Sequence, residues 1–241
     1  MADTKGIRLN KYLAECGVCS RREADRLIEE GRVTVSGKIP EMGYVVTGNP
    51  EILVNGKPVN KPSSKVVLAY YKPVGVTCTE KDPHADKTIL QSLGYKDRVT
   101  YAGRLDKDSE GLILMTNDGD LIHAMMQGSA CHEKEYVVRI DKEVTDDFIR
   151  AMSEGVYIKE LSQKTRKCVV VKEGKYTFRI VLTQGLNRQI RRMCKTLGRN
   201  VVKLKRERVL NIKIGDLKPG AYRVIEGDEL TELYSCMKER M

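Results

Sequence analysis

A single carboxylate stands out in the segment Gly-Arg-Leu-Asp-Lys-Asp of a strongly basic chain. Asp106 lies between Arg104 and Lys107, shortly before the apolar run 112–115, which is typical of a buried strand. An ionised carboxylate at such a strand edge can act as a nucleophile, as a base or as a stabiliser of developing positive charge. Asp108 is a rival, because alternation along an extended segment would put both acids on one side. The residue types indicate carboxylate chemistry here without deciding which acid performs it.

The basic residues concentrate further along the chain. Residues 186–206 hold eight Lys and Arg side chains and no acid. A helix that starts near Asn187 brings four cations within three or four residues of one another, namely Arg188, Arg191, Arg192 and Lys195. Their repulsion is unfavourable unless an anion relieves it, and RNA phosphate or an internal carboxylate would do so. A merely solvated helix face is the alternative interpretation.

The overall composition narrows the class of protein. The 241 residues allow one large domain, alone or with a small one. A net charge of +10 favours a polyanionic partner, either nucleic acid or an anionic membrane surface. No apolar run approaches about 18 residues, and the start of the chain lacks the apolar core of a secretory signal. We therefore expect no membrane span and no membrane partner.

The cysteines predict a reducing compartment. All seven are scattered, which fits a cytoplasmic protein better than a disulfide scaffold. Cys16 and Cys19 have the spacing of a metal-ligand pair, but no second pair with matching spacing follows. We expect no structural metal, and a monomer is the default expectation.

The first 62 residues predict a small separate module. Apolar residues recur at helical spacing over 9–16, and a Ser-x-x-Glu capping box at Ser20 begins a second helix. Short strands follow, the last of them before an Asn-Gly turn. The segment 61–64, Lys-Pro-Ser-Ser, is typical of a linker. The prediction is a domain of two helices plus a small sheet at 1–62.

The remainder, 63–241, predicts a second domain in which strands cluster rather than alternate regularly with helices. Extended segments are predicted at 66–71, 112–116, 135–140, 167–172, 175–183, 201–214 and 222–225. Helices are predicted at 119–126, 145–152, 187–197 and 228–238. This pattern favours an α+β fold with a mixed, mainly antiparallel sheet flanked by helices.

The N-terminal pattern RLNKYLAECGVCSRREADRLIEEGRVTVSGK resembles the RNA-binding module named after small-subunit ribosomal protein four. In that family a basic helix faces the RNA backbone. The resemblance implies five phosphate contacts, at Arg8, Lys11, Arg21, Arg22 and Arg26. Charge alone leaves this question open, since 1–64 holds ten Lys and Arg residues against eight Asp and Glu.

Three later segments resemble pseudouridine synthases in their order and rough spacing. These are Gly-Arg-Leu-Asp at 103–106, Lys-Glu-Tyr at 134–136 and Arg-Gln-Ile-Arg at 188–191. Their wider contexts, GRLDKDSEGLILMTNDGDL, HEKEYVV and QGLNRQIRRMC, are most similar to the bacterial large-subunit ribosomal RNA pseudouridine synthases of F type. The resemblance implies an isomerase acting on large-subunit ribosomal RNA, with transfer RNA as the alternative substrate. Such an isomerisation is redox-neutral and transfers no external group, so we expect no cofactor.

The resemblance assigns the chemistry to three residues. Asp106 is the implied catalytic carboxylate, and its action as nucleophile or as base stays open. Arg191 matches the basic residue that pairs with this aspartate and keeps it charged. Tyr136 is the aromatic that stacks on the uracil, and its phenol, a weak base at neutral pH, is an alternative acceptor for the C5 proton.

Further positions follow from the same resemblance as RNA contacts. Arg104 would fill the space left by the extruded nucleotide, since the target uridine must leave its stack. Lys107 and Lys134 are expected to contact phosphate. Arg188 and Arg192 join them as RNA-binding residues of the basic helix.

Two other functions are compatible with parts of this pattern. A non-catalytic ribosome-assembly factor would need the N-terminal module alone, so the presence of all three later segments argues against it. A base-excising glycosylase would also use an aspartate and an extruded nucleotide, but it would leave an abasic product.

Overall fold

The computed structural model describes residues 6–60, 64–80, 82, 85–127 and 131–238. The chain forms two compact units. The first comprises Met1–Lys65 together with the short segments Tyr95–Val99 and Asn117–Gly119, and the second comprises the rest. The sequence pattern did not indicate that two short later segments join the first unit. Most of the predicted linker, residues 61–63, lies outside the described residues.

The first unit, where the structure describes it, contains two helices and five short strands. Its helices are α1 (Leu9–Glu15) and α2 (Arg21–Glu29). Its strands are β1 (Ile7–Arg8), β2 (Val33–Val35), β3 (Val45–Val46), β4 (Ile52–Val54) and β5 (Lys57–Pro58). β1 pairs with β3, while β2, β4 and β5 form an antiparallel sheet in that order. The predicted combination of two helices and a small sheet is confirmed.

Local chemistry explains where these elements begin and turn. The Ser20 hydroxyl accepts a hydrogen bond from the Glu23 amide at 3.2 Å and so caps α2. The Glu23 carboxylate pairs with Arg26 instead of completing the capping box. Asn55 and Gly56 both have positive φ, 52° and 74°, as a two-residue β4–β5 hairpin requires.

The second unit is built on one nine-stranded sheet among the described residues. Seven strands lie in the order β12-β13-β9-β14-β8-β6-β16, with β7 paired to β8 and β15 to β14. The strands are β6 (Val67–Lys72), β7 (Thr100–Ala102), β8 (Glu110–Thr116), β9 (Lys134–Ile140), β12 (Val169–Gly174), β13 (Thr177–Leu182), β14 (Val201–Val209), β15 (Ile212–Lys213) and β16 (Tyr222–Val224). Only the β14–β8 pairing within this sheet is parallel. The predicted mixed, mainly antiparallel sheet is confirmed.

Helices flank this sheet and bury its apolar side chains. They are α3 (Ile89–Leu93), α4 (Gly119–Met126), α5 (Asp146–Ser153), α6 (Gln189–Thr196) and α7 (Gly227–Lys238). One apolar cluster joins α4 and α7 to β6 and β8, and a second joins α5 and α6 to β9 and β13. A separate hairpin pairs β10 (Tyr157–Ile158) with β11 (Gln163–Lys164). Within the described ranges no helix combines the length and apolarity needed to cross a membrane.

Candidate active site

Asp106 lies in a loop, 103–109, that joins the antiparallel strands β7 and β8. Gly103 begins this loop with φ +88°, a conformation that L side chains rarely adopt. Leu105 is buried, and its amide donates to Cys78 Sγ at 3.5 Å. The Ser109 amide donates to the Asp106 carbonyl at 3.1 Å and closes a turn. The segment is therefore not extended, and the alternation that would pair the two acids by strand geometry does not apply.

A buried arginine contacts the backbone of this loop and of the strand that follows it. Arg206 on β14 is 2% exposed, and its Nε donates to the Leu112 carbonyl at 2.6 Å. Its Nη1 lies 3.4 Å from the carbonyl of Arg104, two residues before Asp106. Buried guanidinium donors are costly to leave unpaired, so these contacts constrain the loop backbone.

Gly111 makes this close packing possible. A Cβ at this residue would lie 2.2 Å from the backbone oxygen of Arg206, and its φ is +113°. The close approach at Gly111 is to the backbone of strand β14. The two backbones are this close because Gly111 of β8 and Arg206 of β14 are partners in the parallel pairing of these strands.

Substituting Gly111 with alanine is expected to lower the free energy of unfolding by about 3 kcal/mol or more, because backbone atoms must move to admit the methyl group. Gly215→Ala is a matched control, since its φ is also positive (+56°) but nothing lies within 4 Å of the added carbon. The control should lose only about 1 kcal/mol. Urea unfolding followed by circular dichroism measures both, and equal losses would contradict the packing argument.

Lys72, at the end of β6, is a buried cation beneath the same loop. It is 0% exposed, and its Nζ donates to the carbonyls of Pro73 and Ser109 at 2.8 Å each. Burial lowers the pKa of Lys72 to about 8, while the charges of Asp106 and Asp108 oppose the shift. The Lys72 ammonium thus links the end of β6 to the loop through the Ser109 carbonyl. Its positive charge interacts with the carboxylates of Asp106 and Asp108.

The pKa of Lys72 makes stability depend on pH. The folded protein releases this proton near pH 8, whereas the unfolded chain keeps it to about 10.5. The unfolded state binds more protons in that window, so wild-type stability should rise with pH relative to Lys72→Met, by up to about 1.4 kcal/mol per pH unit. Urea unfolding at about pH 7.5, 8.5 and 9.5 measures the difference. A flat or falling difference for Lys72 would refute the assignment.

Among the residues that the structure describes, Arg188 is the guanidinium within 4 Å of the predicted catalytic carboxylate. It precedes α6 in a left-handed conformation with φ 50°, and its Nη1 lies 3.8 Å from Asp106 Oδ2. The same side chain donates to both oxygens of Asp108, at 3.1 and 2.7 Å. Hydrogen bonding to Asp108 raises the pKa of Arg188 and, reciprocally, lowers the pKa of the Asp108 carboxyl. The two acids therefore share one arginine.

The predicted ion pair between Arg191 and Asp106 is wrong. Arg191 is only 14% exposed, and its Nε lies 3.4 Å from Asp108 Oδ2. Its Nη2 donates to the Asp108 carbonyl at 2.7 Å and to Ser109 Oγ at 3.2 Å. Both arginines therefore reach Asp108, Arg188 from just before α6 and Arg191 from its first turn. Of the two, only Arg188 also lies within 4 Å of Asp106.

Tyr136 and Lys134 project from β9. Tyr136 is half-buried, packs against the cluster around α5 and α6, and is opposite Arg206 in the β9–β14 register. It therefore shares a sheet face with the arginine that touches the loop carbonyl. Lys134 donates to the His132 carbonyl at 3.2 Å, and burial, aided by the charge of Arg206, lowers its pKa to about 8. The Lys134 side chain is thus more buried than expected for a lysine that only contacts RNA phosphate.

The remaining predicted RNA contacts of the second unit are exposed or partly exposed. Arg104 is exposed, and Lys107 is exposed and pairs with Asp86 at 2.7 Å. Arg192 donates to the Asn187 carbonyl at 3.0 Å and lies 3.6 Å from Glu160. Lys107 and Arg192 are therefore partly neutralised within the protein.

The five predicted contacts of the first unit differ in their surroundings. Arg8, Arg21 and Arg22 are exposed. Lys11 is half-buried and lies 3.6 Å from Glu15, and Arg26 pairs with two carboxylates of its own helix, Glu23 and Glu30. RNA phosphate would have to compete with acids at Lys11 and Arg26, but this competition is weak at an exposed surface.

Sequence reasoning missed the roles of Lys72 and Arg206. One available signal was a lysine that directly continues an apolar strand, at 66–71, where a buried charge must find partners. Arg206 was counted only as part of a basic run. No local pattern distinguishes it, because its partners are carbonyls about 100 residues earlier in the chain.

Comparison with known proteins relates this geometry to a function. The sequence model of RNA pseudouridylate synthases matches residues 66–196, and the model of the S4 domain matches residues 7–49. The chain is 44% identical over 240 residues to the dual-specificity RNA pseudouridine synthase RluF of Escherichia coli (strain K12), covering 99% of this chain and 82% of that protein. It is 35% identical over 232 residues to the ribosomal large subunit pseudouridine synthase B of Bacillus subtilis (strain 168), covering 94% and 95%.

A solved structure supports the same relationship. The crystal structure of a pseudouridylate synthase superposes with a TM-score of 0.70 at 26% identity and covers 94% of this chain and 99% of that chain. The matched region 66–196 contains the loop with both aspartates, Tyr136 and the two arginines that reach the loop.

Proposed function

Because the chain belongs to the RNA pseudouridylate synthase family, we propose that it isomerises a specific uridine of large-subunit ribosomal RNA to pseudouridine through Asp106. The observation that carries the assignment of Asp106 is its position, a third exposed, at the turn of a loop held from below by Lys72 and Arg206. A carboxylate fixed in this way and reachable from solvent is suited to act on a ribose brought to it.

The proposed reaction breaks one bond of the uridine and makes another. The N1–C1′ glycosidic bond breaks, the uracil turns, C5 bonds to C1′, and the proton on C5 is released while N1 gains one. Asp106 either attacks C1′, removes a proton from the ribose, or stabilises positive charge at C1′. No external group is transferred, so the chain's own residues account for each of these steps.

Two cations lie near Asp106. The Arg188 guanidinium is 3.8 Å from Asp106 Oδ2, and the charge of the buried Lys72 ammonium interacts with that of Asp106. We assign to Arg188 the partner role that the sequence suggested for Arg191, and Arg191 becomes a support of the loop. Tyr136 is proposed to stack on the uracil, which contributes about 1–3 kcal/mol for a base on an aromatic ring.

The first unit is proposed to anchor the RNA, with residues 1–62 as the RNA-binding module and 63–241 as the catalytic domain. Its match to the S4 domain and the exposed Arg8, Arg21 and Arg22 support this role. We propose that the protein acts as a monomer in the cytoplasm.

Release of tritium from RNA labelled at uridine C5 tests the proposed reaction directly. The purified protein is incubated with large-subunit ribosomal RNA transcripts, and the released label and the nucleoside mass are measured. We expect tritium release with nucleoside mass otherwise preserved. An abasic product would indicate a glycosylase, and no release from mature or precursor RNA would favour a non-catalytic assembly factor.

A second RNA class belongs in the same experiment. The Escherichia coli relative is named as dual-specificity, whereas the Bacillus subtilis relative is named for the ribosomal large subunit. Transfer RNA is therefore added as a separate substrate. Comparing pseudouridine maps of ribosomal and transfer RNA from cells with and without the gene then identifies the modified uridine.

A further inference from the structure

Asp108 is the point at which two arginine side chains meet. Arg188 donates its two terminal nitrogens to the two carboxylate oxygens, at 3.1 and 2.7 Å. Arg191 approaches the same carboxylate at 3.4 Å and donates to the Asp108 main-chain carbonyl at 2.7 Å. Both cations flanking the start of α6 are thus bound by one residue of the loop.

The contact between Arg188 and Asp108 is of the fork type. Two parallel N–H···O bonds between a guanidinium and a carboxylate fix the plane of the guanidinium as well as its distance. Nη1 of Arg188, which takes part in this fork, is also the atom that lies 3.8 Å from Asp106 Oδ2. The orientation of the positive group beside Asp106 is therefore set by Asp108.

The 3.8 Å separation is longer than a hydrogen bond. At this distance the guanidinium places positive charge beside Asp106 while occupying neither of its oxygens in a close contact. A carboxylate that must reach a ribose needs an oxygen free of strong donors. Asp108, 47% exposed and engaged on both oxygens, does not have that freedom.

We propose that Asp108 is a positioning residue that clamps Arg188 beside Asp106 and holds it short of a direct hydrogen bond to the catalytic carboxylate. This inference rests on the proposed function. Without the clamp, Arg188 is expected to turn to Asp106 and form with it the close pair that Asp108 now forms. The carboxylate would then be misoriented and its oxygens occupied, and small displacements of a reacting group cost large factors in rate.

Asp108→Asn is the first variant of the test. An asparagine amide cannot accept the fork with both of its polar atoms, so the clamp is lost while size is conserved. We expect kcat for tritium release to fall about tenfold to hundredfold, with KM changed less than about threefold. Asp147→Asn is the matched control, because it removes one carboxylate from an exposed ion pair with Arg150 on α5, and its kcat should equal that of wild type.

A double-mutant cycle with Arg188→Gln shows whether Asp108 acts through the arginine. If it does, Asp108→Asn should change the rate of the Arg188→Gln enzyme by less than about twofold. A merely structural role would reduce the rate by a similar factor in both backgrounds. Thermal midpoints are measured for every variant, and Asp108→Ser repeats the cycle should the asparagine variant not fold.

The outcomes separate this inference from the proposed function. If wild type releases tritium and Asp108→Asn matches it, or if the two substitutions multiply in the cycle, the clamp is refuted and the proposed function stands. If wild type releases none from any RNA tested, the proposed function fails and the clamp fails with it. A lowered kcat that disappears in the Arg188→Gln background supports the clamp.

Discussion

Replacing Asp106 with asparagine is expected to lower kcat for pseudouridine formation by at least about 1000-fold while RNA binding is retained. An amide is neither a nucleophile toward C1′ nor a base, and it carries no negative charge to stabilise a cation at that carbon. Asp106 is 32% exposed in a loop whose backbone is held by other residues, so folding should be unaffected. Tritium release measures the rate, and filter binding of the same RNA measures affinity.

Two comparisons sharpen this result. Asp147→Asn applies the same chemical change at an exposed position on α5 and should retain wild-type turnover. Asp106→Ala should match Asp106→Asn if the carboxylate itself is required. Turnover at the wild-type rate by either purified Asp106 variant would remove the basis of the assignment, and loss of RNA binding in both would reassign Asp106 to binding.

Arg188→Gln should lower kcat about 100-fold, because it removes the cation nearest to the catalytic carboxylate from a partly buried site. Arg188 is 43% exposed and precedes α6, so its removal should change the thermal midpoint little. Arg191→Gln should behave differently. Its side chain is mostly buried and supports the loop carbonyl of Asp108, so its loss should mainly lower stability.

Comparing the Arg188→Gln and Arg191→Gln variants decides which arginine supports catalysis and which supports stability. Rates of tritium release and thermal midpoints are determined for both variants and for Arg150→Gln, an exposed arginine on α5 that serves as the control. A large loss of kcat in Arg191→Gln with normal stability, together with a nearly active Arg188→Gln, would restore the pairing first suggested by the sequence. The opposite pattern is expected.

Much of the fold was predictable because its signals are local. Strand β6 is buried throughout and is a continuous apolar run up to Lys72, and α2 begins at a serine cap four residues before its first buried side chain. The Asn-Gly turn at 55 predicted a hairpin, which the structure contains. Elements with weak periodicity were missed, such as the two-residue strands β1 and β3, which pair with each other and place Ile7 and Val46 against the apolar cluster of the first unit.

The family was also evident from the sequence, and the comparisons confirm it. The resemblance rested on three short motifs in a fixed order. Each motif is a contiguous stretch of residues, so it can be recognised in the sequence before the fold is known. The sequence placed Asp106 shortly before a buried strand, which is β8 in the structure, although the segment around Asp106 proved to be a turn rather than extended.

By itself, the sequence determined the α+β architecture, the family and the aspartate on which the chemistry is proposed to depend, since each is encoded in periodicity or in contiguous motifs. Tertiary structure alone decided which arginine meets which aspartate and which buried cations hold the loop. Those pairings join Asp106 and Asp108 to Arg188 and Arg191 across some 80 residues, and Lys72 and Arg206 to carbonyls of distant strands. Charge attraction falls off over a few ångströms, so contacts of this kind exist only once the strands have packed.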